Sequence, residues 1–94
     1  MNKYEMMYVV KPFDEELVAD ISERVLNVLK KYGAEIKKND AWGKKALAYE
    51  IAGFREGYYY LATFNLKDRV IKKIHDELNF IEDVLRLMII VKDI

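Results

Sequence analysis

The chain has no cysteine and no glutamine, and only one each of proline (Pro12), histidine (His75), tryptophan (Trp42), serine (Ser22) and threonine (Thr63). Without cysteine there is neither a disulfide nor a thiolate ligand, and one imidazole among scattered carboxylates cannot supply the convergent ligand set that zinc requires. No metal and no cofactor are therefore expected. The glycines at 33, 43, 53 and 57 never approach the spacing of a phosphate-cradling loop. Uncharged apolar runs such as Leu87 to Val91 fall far short of the roughly 18 residues needed to span a bilayer, so no membrane partner is expected. Met1-Asn2-Lys3-Tyr4-Glu5 lacks the apolar character of a secretory leader, which together with the missing cysteine predicts a cytoplasmic protein. An excess of charge is missing too. The 16 basic and 16 acidic residues cancel, so no global field steers the chain to a polyanion, and any nucleic-acid contact must come from a local arrangement.

What is present is apolar. Hydrophobic residues make up 52% of 94 positions, enough for one packed core, so residues 1–94 are expected to form a single domain. Alternation over Tyr4 to Val10 predicts a strand with Tyr4, Met6, Tyr8 and Val10 on one side, ended by Pro12. Asp14 is placed as the N-cap of a helix, with Phe13 and Val18 as a hydrophobic staple. Its apolar positions are Leu17, Ile21, Val25, Val28 and Tyr32, flanked by Val18 and Leu29, and Lys30, Lys31 and Gly33 close it. A long strand follows from Glu35 to Ile51, bent near Trp42-Gly43, with Leu47, Tyr49 and Ile51 on a core face. Gly53 to Gly57 should turn the chain into a third strand, Tyr58 to Phe64. Asn65, with Asp68 as its capping-box partner, is expected to start a helix whose inward stripe is Val70, Ile71, Ile74 and Leu78. Val84 to Val91 forms the last strand.

This order is the α+β ferredoxin-like βαββαβ arrangement, a four-stranded antiparallel sheet with two helices on one face. Right-handed crossovers place strands one and three in the centre and two and four at the edges. The other face should be polar if the protein acts alone. It is not: Met7, Val9, Met88, Ile90 and one parity of Tyr58 to Tyr60 fall there, with Arg86 among them. Contiguous exposed apolar area beyond a few hundred Å² marks an interface.

Catalytic candidates fail. Glu15-Glu16, Asp76-Glu77 and Glu82-Asp83 are explained by helix ends and solvation, and Ser22 has no base in view. His75 is expected at the surface beside Lys72 and Asp76. Gly57-Tyr58-Tyr59-Tyr60-Leu61 approaches the aromatic motif of RNA-recognition modules, but Glu56, Tyr59 and Thr63 each depart from it. Val10-Lys11-Pro12-Phe13 lacks the anion loop of an acylphosphatase-like enzyme. The chain reads as no enzyme, with no small-molecule substrate; a small dimerising regulatory or ligand-sensing module is the alternative to a binding subunit.

Trp42-Gly43-Lys44-Lys45-Ala46-Leu47-Ala48-Tyr49-Glu50-Ile51 resembles a motif of the bacterial small-subunit ribosomal protein six family, which has tryptophan-glycine, two basic residues, one variable position, then leucine-alanine-tyrosine. Tyr4-Glu5, Tyr32-Gly33-Ala34, Gly57-Tyr58, and Phe80 to Val84 with Arg86 and Met88 extend the likeness nearly end to end. Lys44 and Lys45 stand where arginine is common, Glu50 where proline is usual, and Ala41 separates Asp40 from Trp42. The resemblance implies a structural subunit that binds the central domain of small-subunit ribosomal RNA together with ribosomal protein eighteen. On this reading Trp42, Lys44, Lys45 and Arg86 are the expected RNA contacts, with Lys44 and Lys45 at the family's basic pair. Met7, Tyr60, Met88 and Ile90 are the expected partner-protein interface.

Overall fold

The computed structural model describes residues 2–67 and 69–92. Six elements follow one another: β1 (Asn2–Val10), α1 (Glu15–Lys31), β2 (Glu35–Ile51), β3 (Phe54–Leu66), α2 (Ile71–Leu78) and β4 (Val84–Lys92). The sheet order is β2-β3-β1-β4 with every neighbouring pair antiparallel, so the expected central and edge strands are the observed ones. Both helices cover one face, which is the ferredoxin-like fold.

α1 begins where its chemistry says it should. Asp14 is extended (φ −64°, ψ 155°) and its carboxylate accepts the Leu17 N–H at 3.0 Å, while Glu15 and Glu16 occupy the positive end and Lys30 and Lys31 the negative one. Its buried stripe is Val18, Ile21, Ser22, Val25 and Leu29. Leu17, expected inward, is 42% exposed because the stripe is centred one residue later. That stripe packs on Tyr4, Met6, Tyr8 and Val10 of β1, on Ala62, Phe64 and Leu66 of β3, and on Ile74 and Leu78 of α2. Tyr4 stacks on Phe64 with centroids 5.4 Å apart, and Tyr8 on Tyr60 at 5.1 Å.

The buried Ser22 is hydrogen-bonded within this core. The Tyr8 hydroxyl donates to Asn39 Oδ1 at 2.8 Å, the Asn39 amide donates to Ser22 Oγ at 3.1 Å, and Ser22 Oγ lies 2.7 Å from the Tyr8 oxygen. With Ser22 donating to Tyr8, the three bonds close a ring joining β1, α1 and β2. Burial pushes the Tyr8 hydroxyl up to about 12, against the opposing pull of those bonds, so it stays protonated and keeps donating.

Three expectations need correction. β3 starts at Phe54 rather than Tyr58, because the reversal is a two-residue turn at Ala52 (φ 50°) and Gly53 (φ 84°) between the paired Ile51 and Phe54. Asn65 does not cap α2: it lies within β3, opposite Lys3, and α2 starts after Val70 with no side-chain cap. Asp68, its expected partner, lies outside the described residues. The alternation of β4 predicts Leu87, Ile89 and Val91 on the helix side, but Val91, near the end of the strand, is 56% exposed.

Candidate functional site

Register assigns every strand residue to a face. The pairs Tyr4–Phe64, Met6–Ala62, Tyr8–Tyr60 and Val10–Tyr58 lie under the helices, so Tyr59, Leu61 and Thr63 point to the open side with Glu5, Met7 and Val9. This corrects Tyr60, which was assigned to the open-face interface. It stacks on Tyr8 beneath α1, where burial raises its hydroxyl pKa, and the neighbour Tyr59 takes its place on the open side. Met7, Met88 and Ile90 do fall on the open side, paired as Met7–Met88 and Glu5–Ile90. Met88 and Ile90 are 45% and 48% exposed.

That open face has two halves. Toward the start of β1 it is mostly polar: Lys3, Glu5, Thr63, Asn65 and Lys92 share it with Ile90, with Lys92 and Glu5 3.9 Å apart and the buried Asn65 Oδ1 without a hydrogen-bond partner among the described residues. Toward the end of β1 it is apolar, with Met7, Val9, Leu61, Tyr59 and Met88. Val9 is 2% exposed although no helix covers it. A neighbouring strand approaches it closely: a Cβ added at Gly57 would lie 2.5 Å from Val9 Cγ1 and 3.0 Å from the Val10 carbonyl, so only glycine fits there.

The hairpin supplies the rest of the cover. Between the pairs Ala46–Glu56 and Ile51–Phe54, residues 47–50 of β2 face residue 55 alone, and the surplus chain curls over the open face. Leu47, Tyr49 and Ile51 therefore do not enter the core as their alternation predicted. They form one side of a cleft of about 190 Å³ whose floor is Met7, Val9, Tyr59 and Met88. Arg86 closes its wall, donating from Nη1 to the Tyr49 hydroxyl at 2.7 Å with the guanidinium carbon 5.6 Å from the Tyr49 ring centroid.

The RNA candidates do not converge on one patch. Trp42 is the extra residue of a β2 bulge between the pairs Ala41–Tyr60 and Gly43–Tyr59, with Gly43 at φ 87°, and is 46% exposed. Past this bend Lys44 pairs with Tyr58 and Lys45 with Gly57, so the two lysines lie on opposite faces of the edge strand. Arg86 is on the other edge strand, in the row Gly43–Tyr59–Val9–Arg86, three strand spacings or about 14 Å across the sheet. It belongs by position with the apolar group. Among the described residues no cluster of three or more His, Asp or Glu side chains could hold a metal, and no helix is long and apolar enough to cross a membrane.

The sequence profile described as ribosomal protein S6 matches residues 3–91. The chain belongs to the ribosomal protein S6 family. That family is one of ribosomal proteins rather than of enzymes. The chain is 45% identical over 94 residues to the small ribosomal subunit protein bS6 of Clostridioides difficile, covering 97% of this chain and 99% of that one. It is 38% identical to bS6 of Desulforamulus reducens, with 96% of each chain covered. The crystal structure of 30S ribosomal protein S6 from Thermotoga maritima superposes with a TM-score of 0.89, at 24% identity, over 97% of this chain and 87% of that chain. An ACT domain of a GTP pyrophosphokinase from Chlorobium tepidum shares the fold at TM-score 0.61 and 10% identity, covering 96% of this chain and all of that one. Likenesses at such identity show the fold alone.

Proposed function

We propose that this protein is a structural component of the small ribosomal subunit in the cytoplasm, binding the central domain of small-subunit ribosomal RNA jointly with ribosomal protein eighteen. The observation that supports the reading is one sheet with two unlike surfaces: an edge strand bent at Trp42-Gly43 that carries two lysines, and an open face whose apolar half no helix covers. The first suits RNA. Trp42 offers a stacking surface, and Lys44 and Lys45 act as point charges on phosphates, without the bidentate fork arginine would bring. The second suits a protein, through Met7, Met88 and Ile90 and the newly placed Tyr59. Because the formal net charge is zero, the lysines alone give little affinity for RNA, and the partner supplies the remainder.

The test titrates a central-domain RNA fragment with the protein, with and without ribosomal protein eighteen, across a salt series. Joint binding should greatly exceed binding by the protein alone. Lys45→Ala should lower the salt slope by about one for the lost phosphate contact. Unchanged RNA affinity with and without the partner, or a homodimer that binds a metabolite instead, overturns the reading.

A further inference from the structure

We propose that Asn39 is the positioning residue of the RNA-bearing edge strand: its hydrogen-bonded ring with Tyr8 and Ser22 locks the register of residues 38–41 and thereby holds Trp42 out of the ladder. This rests on the reading of Trp42 as an RNA contact and goes beyond it in naming what places that side chain.

β2 is weakly tied to the rest of the molecule. None of its 17 residues is buried, and Ile36 is the one β2 residue that packs against the core. Its pairing with β3 breaks step between Ile36 and Lys38 and again between Ala41 and Gly43, so Lys38-Asn39-Asp40-Ala41 is a short segment between two bulges. That segment has no apolar guide. Lys38 and Asp40 lie on the open side opposite Thr63 and Leu61, while Asn39 and Ala41 lie on the helix side opposite Ala62 and Tyr60, and Ala41 is exposed. A strand that is polar on both faces slips readily, and a slip of one residue turns every side chain over.

One such slip matters for Trp42. Moving the segment one pair along, so that Asn39 stands opposite Thr63, draws Trp42 into the ladder opposite Tyr60 and removes its bulge. Asn39 opposes that move. Its Oδ1 accepts from the Tyr8 hydroxyl at 2.8 Å and its amide donates to Ser22 Oγ at 3.1 Å, and both bonds break if the side chain turns to the open face. Gly43, at φ 87° with nothing within 4 Å of its Cβ position, permits the bend without holding it. A polar side chain satisfied at one inward position is an effective device for fixing register, as a single asparagine does in coiled coils.

The experiment uses the intact chain and its single tryptophan. Asn39→Ala frees β2 but leaves the Tyr8 and Ser22 hydroxyls 2.7 Å apart and bonded to each other, so the variant should fold. Its Trp42 emission should shift to the blue with weaker acrylamide quenching, and NMR should show Ala41 no longer opposite Tyr60. Joint binding of the central-domain RNA fragment with ribosomal protein eighteen should fall about tenfold, the loss of roughly one base stack. In a Trp42→Ala background, Asn39→Ala should add nothing further. Ser22→Thr keeps the hydroxyl and should leave the emission unchanged, whereas Ser22→Val, of the same shape without it, should move it. Ile74→Val, a buried change on α2 outside the ring, should lower the melting temperature and touch neither emission nor RNA binding.

Wild-type emission in Asn39→Ala, with Ala41 still opposite Tyr60, overturns the lock. So does an equal shift in Ile74→Val, which makes the effect general loosening, or unchanged RNA affinity in Asn39→Ala despite a moved Trp42. A wild-type chain that binds no RNA with its partner strikes down the ribosomal reading instead, and emission and NMR still decide the register.

Discussion

The two faces of the sheet are built from alternate residues of the same strands, yet they solve different problems. Tyr60 lies stacked under a helix and Tyr59 looks out over a cleft, one residue apart. The covered face is closed: its apolar side chains interdigitate, and the buried Ser22 belongs to a hydrogen-bonded ring with Tyr8 and Asn39. The open face is divided into a polar half and an apolar half, and its own hairpin shelters only part of the latter. The lesson is that stability is concentrated on one side of the layer, which leaves the other free to be chosen for what it meets.

Two methionines test that contrast most directly. Met6 is fully buried and Met88 is 45% exposed, so Met6→Ala should cost about 2–5 kcal/mol and Met88→Ala less than about 1 kcal/mol in urea unfolding. Equal losses would break the comparison. Two tyrosines come next. Tyr8→Phe removes two of the three bonds of the ring, leaving only the Asn39 amide donating to Ser22 Oγ, and should cost about 1–3 kcal/mol, whereas Tyr49→Phe loses a solvent-exposed bond to Arg86 and should cost less than about 1 kcal/mol. Chemical denaturation of the two variants side by side checks the ranking.

The hairpin tip sharpens the comparison from the other direction. Ala52 holds φ at 50°, a conformation glycine adopts without penalty, so Ala52→Gly should raise stability by about 0.5–1 kcal/mol, read as a shift in melting temperature. A fall would mean that the tip is held by contacts of its own. The smallest effect is expected at the rim of the covered side, where Lys31 of α1 and Tyr32 just beyond it both donate to Glu77 of α2. The Lys31 ammonium first, and the Tyr32 hydroxyl second, hold the Glu77 carboxyl below its ordinary value. A lowered carboxyl contributes stability above its unfolded pKa and loses it as pH falls through the folded one. The melting-temperature gap between wild type and Glu77→Gln should therefore be present at pH 7 and vanish in acid. A gap that persisted in acid would assign the effect to packing rather than charge.

Local signals were strong where chemistry acts over a few residues. The Asp14 cap, the Gly33 stop, the bend at Trp42-Gly43 and the alternation of β1 were all legible, because each depends on a backbone preference or a short-range hydrogen bond. Errors came where two distant segments had to be aligned. Asn65 has the chemistry of a cap and is a strand residue, since cross-strand pairing with Lys3 and Glu35 outweighed local preference. Tyr60 and Tyr59 are indistinguishable by composition, and only the register with Tyr8 and Val9 separates them. Of the candidate site, Met7, Met88 and Ile90 were readable from parity, whereas the grouping of Arg86 with Tyr49 was not: those residues are 37 positions apart in sequence and meet because the hairpin curls.

By itself, then, the order of residues determined the six elements, their sequence along the chain, the face that the helices would cover and the absence of thiol chemistry, all of which follow from periodicity, chirality and composition. Tertiary structure alone decided which tyrosine looks outward, that Leu47, Tyr49 and Ile51 shelter a cleft in place of filling a core, and that Arg86 meets the Tyr49 hydroxyl. The physical reason is that a pleated strand alternates sides every residue, so a few surplus residues between two paired positions of β2 are enough to redirect everything that follows them.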